Sequence, residues 1–173
     1  LKELSCMDEE IHKQMIALLD DPNQNRRVII QSLAGLGVIS SVQRIREFMT
    51  DQSVSNLVRG AAIACTAKLC GETALLDDLV KNLSSPNQND RHCAIQDVID
   101  SGKIELLPSI LKTPVAPFFR INAVISVWPD ELKNCQGLNL LSILDSLLID
   151  NPNELQTLHS YDQVPSSTFL VEE

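Results

Sequence analysis

Apolar residues along this chain recur with the spacing of a helical stripe, not the alternation of a strand. In residues 1–20, Leu4, Met7, Ile11, Met15, Leu18 and Leu19 fall mostly three or four apart, which predicts an amphipathic helix able to cap an array or dock a partner. Four later stretches each open on an arginine: Arg27-Val28-Ile29-Ile30, Arg59-Gly60-Ala61-Ala62, Arg91-His92-Cys93-Ala94 and Arg120-Ile121-Asn122-Ala123. A small or apolar residue stands three positions after each Arg, and another apolar residue follows within a turn, so each is read as a helix. They run to Gly37, Gly71, Gly102 and Pro129-Asp130, which are helix stop signals. Partner helices are predicted between them, over 39–50, 74–83 and 104–111, with a further, strongly apolar helix over 138–149. The polar segment from Asn151, with Pro152 and Pro165, reads as a tail that wraps a surface or awaits a partner.

The spacing is itself a repeat. Pro22-Asn23-Gln24-Asn25 returns as Pro86-Asn87-Gln88-Asn89, 64 residues on. Arg27, Arg59 and Arg91 stand 32 apart, and Arg120 follows after 29. Each period is two short helices and a turn, and such hairpins bury their faces by stacking. The turns Asp21-Pro22-Asn23 and the run Leu57-Val58-Arg59-Gly60-Ala61-Ala62 resemble HEAT-like repeats, although the period is shorter than the roughly 40–47 residues of that class. The expected fold is all-α: a short HEAT-like helical-hairpin solenoid of about four repeats over 1–150, with a terminal cap and an extended C-terminal tail over 151–173. The recurring Arg is expected to bond carbonyls, or an acid of the neighbouring repeat. So short an array leaves a terminal face open, which points to a heteromer.

Composition narrows the functions. Apolar residues make up 44% of the chain and aromatics 3%, so the core must be aliphatic. The 14 basic residues are outnumbered by 23 acidic ones, for a net charge of −9, with no basic run. That opposes non-specific binding to nucleic acid or to anionic membranes, both of which need clustered Lys and Arg. Five cysteines, at 6, 65, 70, 93 and 135, are odd in number and include no CxxC pair, so a reducing compartment is expected. His12, His92 and His159 are too dispersed to suggest a zinc site. No apolar run reaches the ~18 residues of a membrane span. No secretory leader is evident, and the chain begins with Leu1, so its natural N-terminus is expected upstream.

No hydrolase elbow, phosphate loop, dinucleotide fingerprint or paired-metal spacing is present. The strongest candidate chemistry is His92-Cys93, in the first turn of the third Arg-bearing helix. With Ile95, Val98, Ile99 and Gly102 as the buried face, His92 falls at its edge, and Cys93 shares the solvent side with Gln96, Asp97 and Asp100. A thiol near a helix N-terminus beside a histidine is favoured as thiolate, while Asp90 and Asp97 oppose this. The plain alternative is an inert thiol beside a packed imidazole. Trp128 is a core plug at a helix end or a surface on which a flat ligand stacks. Phe118-Phe119-Arg120, after the Pro-rich turn at Pro114 and Pro117, is ordinary core or a place for an apolar ligand with a carboxylate. His159, Tyr161 and Asp162 read as a solvated turn, and His12 as exposed.

Three features together resemble the F subunits of the cyanobacterial E/F-type phycobilin lyases: the short array, the segment 114–130 with Phe118-Phe119-Arg120 and Trp128, and the run 144–155 around Asp150-Asn151-Pro152. Those subunits consist of shortened HEAT-like repeats and pair with a longer E subunit. The pair attaches an open-chain tetrapyrrole to a cysteine of a phycobiliprotein α subunit. The resemblance implies a heterodimeric lyase, with phycocyanobilin as substrate and no tightly bound cofactor or metal, acting in the cytoplasm near phycobilisome assembly. Isomerising members carry His-Cys within Asn-His-Cys-Gln-Gly-Asn; here His92-Cys93 matches the dipeptide alone, between Arg91 and Ala94. The resemblance further implies that Arg59, Arg91 and Arg120 pair with propionates, with Trp128 in the bilin site. If isomerisation occurs, Cys93 adds reversibly while His92 moves the proton. The competing reading is a non-catalytic scaffold or chaperone of the same fold.

Overall fold

A computed structural model gives the structure of residues 2–127, with side chains described from Asp8 onward except Ile125; Trp128, the expected helix over 138–149 and the tail over 151–173 lie outside the described residues. The described residues form eight α-helices and no strand. Helix α1 (Lys2–Ala17) ends in a 3-10 turn, Leu18–Asp20. Then come α2 (Arg26–Gly35), a turn at Ile39–Ser41 leading into α3 (Val42–Thr50), α4 (Asn56–Cys70) and α5 (Leu76–Asn82). Helix α6 (Gln88–Asp100), a turn at Ile104–Leu106 leading into α7 (Leu107–Ile110), and α8 (Pro117–Ile125) complete the order. The partner helices stand where the apolar spacing put them.

Each first helix of a pair stops as its sequence dictates. Gly37, Gly71 and Gly102 all adopt left-handed backbone, with φ of 70°, 69° and 65°, a conformation glycine enters without a Cβ penalty. The starts are capped by short polar side chains. Asn25 Oδ1 accepts from Val28 N, Ser55 Oγ from Val58 N, and Asn87 Oδ1 from Asn89 N and Asp90 N. The recurring Pro-Asn-Gln-Asn is thus used in two registers: α2 begins after its last Asn, whereas α6 begins after its first.

Helix α4 is the hub. It packs on α2, α3, α5 and α6, and every residue from Gly60 to Ala67 is buried. A helix apolar on all sides belongs inside, and its Gly and Ala residues let neighbouring backbones come close. Around it runs one continuous core including Leu19, Ile30, Leu33, Ile45, Phe48, Leu79, Ile95, Val98, Ile110 and Val124. Each large aliphatic side chain so buried contributes about 1.5–3 kcal/mol.

A polar network crosses this core. The Arg27 guanidinium donates to Asp97 Oδ1 at 2.7 Å and Oδ2 at 3.1 Å, to the Leu57 carbonyl at 2.7 Å and to the Cys93 carbonyl at 3.1 Å. It therefore joins α2, α4 and α6. Asp97 is 2% exposed, which corrects its expected place on the solvent side of α6. Gly60 makes room for it, since a Cβ there would stand 2.4 Å from Asp97 Oδ2. Burial pushes the Asp97 carboxyl up to about 6, against the pull of Arg27 and with a further push from Asp100. Burial pulls Arg27 down most strongly, but its bonds to Asp97 and the negative charges around it together hold it above its ordinary value.

Candidate functional site

The arginines that begin the helical stretches have structural bonds. Arg59 Nη1 donates to the Val54 carbonyl at 3.0 Å and the Asp51 carbonyl at 3.4 Å. Arg91 Nη1 donates to Ser85 O at 2.7 Å and Pro86 O at 3.1 Å, and Arg120 Nη1 to Leu111 O at 3.0 Å and Thr113 O at 3.1 Å. Each ties down the loop that precedes its own helix. In the first repeat Arg26, not Arg27, plays this part, bonding Leu19 O at 2.9 Å and Asp20 O at 3.4 Å. Arg27 instead bonds an acid, Asp97, but one that lies two repeats on and not in the neighbouring repeat as expected. Arg59 and Arg91 keep partial access to solvent, while Arg120 is 4% exposed. The cation expected beside Phe118 and Phe119 therefore lies inside the fold.

His92 and Phe119 come together. Their ring centroids are 4.2 Å apart at 28°, a stacked pair joining α6 to α8. Phe118 and Phe119 are 52% and 39% exposed, so the stack ends in an aromatic surface. His92 and Cys93 are both half-buried. Cys93 sits less openly than its helical position suggested, since its side of α6 also carries Asp97 and meets Arg27. The described thiols of Cys65, Cys70 and Cys93 are free. Burial pushes Cys65 up to about 12, which keeps it a protonated thiol.

Concavities flank α4. A groove of about 170 Å³ lies among Gln31, Ala34, Ala61, Ala64, Lys68 and Asp100. A larger cleft of about 310 Å³ lies between the end of α3, the first half of α4 and the length of α5, lined by Met49, Ile63 and Leu75 with Arg59 and Lys81 among its polar groups. Among the described residues, no group of three or more His, Cys, Asp and Glu side chains is placed to hold a metal ion, and no helix is long and apolar enough to cross a membrane.

The chain is similar to a bilin biosynthesis protein. It is 40% identical over 171 residues to the bilin biosynthesis protein CpeY of Synechococcus sp. (strain WH8020), across 99% of this chain and 40% of that protein. It is 32% identical over 173 residues to the uncharacterized phycocyanin operon protein Y of Pseudanabaena tenuis (strain PCC 7409), across 99% of this chain and 41% of that protein. The chain thus spans about two fifths of the length of these relatives. No protein-family model and no solved structure matches it.

Of the residues expected in a site, His92, Cys93, Arg91 and the two Phe share the α6–α8 region, Arg59 lines the cleft on the other side of α4, and Trp128 lies outside the described residues. Lys81 and Leu75 were missed. Lys81 offered no signal on a helix with several charges. Leu75 carries one only in its backbone, where its φ of 64° makes it the non-glycine residue with positive φ among those described.

Proposed function

We propose that this chain takes part in attaching an open-chain tetrapyrrole to a cysteine of a phycobiliprotein α subunit, as one member of a two-subunit lyase built on HEAT-like repeats. The observation that carries this reading is the similarity to the bilin biosynthesis protein CpeY over nearly the whole chain. The His92–Phe119 stack supports it chemically, because a flat conjugated ring can extend a pair of stacked rings at an exposed edge. Arg91 beside it, and Arg59 in the cleft, are the cations proposed for the propionates; the buried Arg120 is left out of that role. Cys93 would hold the bilin transiently. Its sulfur bonds the ethylidene carbon while the thiol proton ends on the conjugated system, and elimination reverses both before the acceptor thiol adds in the same way. Conversion of phycocyanobilin to phycoviolobilin would need only one proton removed and one returned, with His92 as carrier and no net oxidation. The setting is the cytoplasm, near phycobilisome assembly.

The length of the relatives favours a second reading within the same function. They are more than twice as long as this chain, and in E/F-type lyases the E subunit is the longer one. The chain would then correspond to part of a long subunit and would need an F-type partner.

Co-expression with an E-type or an F-type partner, a phycobiliprotein α subunit and phycocyanobilin tests both. The expected outcome is a covalent, zinc-fluorescent α subunit that forms only with this chain and one of the two partners. No covalent acceptor with either partner would leave the scaffold reading in its place. A blue-shifted, phycoviolobilin-like product that vanishes in Cys93→Ala would establish the isomerase step.

A further inference from the structure

The geometry points to a binding site for an apolar molecule bearing a carboxylate in the cleft between α3, α4 and α5. This inference shares Arg59 with the bilin reading but is argued from the geometry of the cleft. At about 310 Å³, the space falls at the lower end of the ~300–1,000 Å³ usual for small-molecule sites. Its floor is apolar: Met49 and Ile63 are 7% and 3% exposed, and Leu75 leans over it. Its charged lining is Arg59, Lys81 and Asp78, a net positive spot on a chain whose net charge is −9. An apolar body with an anionic end matches floor and rim together, whereas a neutral molecule would leave the cations unused.

The two cations are differently prepared. Arg59 is fixed in advance by the Asp51 and Val54 carbonyls, and its Nη2 meets Asn56 Oδ1 at the rim. Little side-chain freedom is lost when it binds a carboxylate. Lys81 pairs with Asp78 at 2.7 Å, and this pair is exposed and within one helical turn. Such a pair is weak, so an incoming carboxylate can share or replace it. Gln52, Asn56 and Asn82 supply amides around the same opening. Leu75 adds an independent sign, because its left-handed backbone is strained for a non-glycine residue, and such strain concentrates at functional sites.

Neither of the two other surfaces described above offers this combination. At the α6–α8 aromatic surface Arg120 is buried and Arg91 half-buried, and the groove along α4 pairs one lysine with one aspartate in its lining.

The test uses the full chain labelled with 15N, titrated with 2-naphthoate and with its neutral counterpart 2-naphthalenemethanol. Naphthoate is expected to shift the amides of Thr50, Gln52, Ile63, Leu75 and Lys81 saturably, and to bind at least about fivefold more tightly than the alcohol. Lys81→Glu, at an exposed position, should weaken naphthoate about tenfold and leave the alcohol unchanged, while Lys81→Arg should retain binding. Shifts scattered over the surface, equal affinity for the two probes, or unchanged naphthoate binding in Lys81→Glu would overturn the site. Because chromophore attachment is measured separately, loss of one finding leaves the other standing.

Discussion

Gly60 shows how little space decides a contact. It sits within α4, where glycine is about 0.5–1 kcal/mol worse than alanine, so propensity alone gives no reason for it. The reason is the Asp97 carboxylate, which would lie 2.4 Å from a Cβ at that position. Asp97 cannot swing aside freely, since Arg27 holds both of its oxygens. Gly60→Ala is therefore expected to lower unfolding stability by about 1–3 kcal/mol despite the better helix propensity, read from the urea midpoint. Neither residue advertised this. On a helical wheel Asp97 shares its side with Gln96 and Asp100, which is what a solvated face looks like. Its partner lies 70 residues away in sequence, and no local pattern reports such a distance.

At the scale of elements, the helices were largely legible because their signals are local. Apolar spacing located α2 to α7, and the three left-handed glycines ended the long helices where expected. Two details were not legible. The repeated Pro-Asn-Gln-Asn suggested one helix start, yet the caps differ by two residues, which moves the loop-holding role from Arg27 to Arg26. Helix α6 was assigned one buried face, but a helix in the middle of an array is covered from two sides, by α4 and by α7 and α8. The side toward α4 is where Gly60 and the Arg27 guanidinium enclose Asp97, and Arg27 also reaches the Cys93 carbonyl there. The start of α5 is strained at Leu75, whose side chain makes no cap. Leu75→Gly should relieve the strain and raise stability by up to about 1 kcal/mol, with an unchanged urea m-value. The same change removes part of the cleft's apolar lining, so naphthoate binding should weaken as stability rises.

For the whole molecule, the buried carboxylate sets a pH dependence. The Asp97 carboxyl titrates at about 6 in the fold against an ordinary 3.8. Between those values the folded chain keeps a proton that the unfolded chain has released, so this group's contribution to stability falls as pH rises from about 4 to about 6 and is flat above. Asp21 and Asp51 act oppositely. Their carboxyls are held low by hydrogen bonds from Asn23 and Ser53, and the stability they confer is lost as pH falls below 4. Subtracting the profile of Asp97→Asn from that of the natural chain removes the shared part. The difference is expected to decline across pH 4–6; a flat difference would show that Asp97 does not titrate there.

The guanidinium that reaches from α2 to α6 has a consequence for how the array comes apart. In a stack whose units touch only their neighbours, unfolding starts at either end and proceeds unit by unit. Arg27 binds past its neighbour, to a unit one further on, with the hub helix between. The first pair cannot peel away without uncovering a buried carboxylate in the third, and the third cannot fray without stranding a half-buried arginine in the first. Three hairpins that could melt in sequence are thereby made to melt as one block.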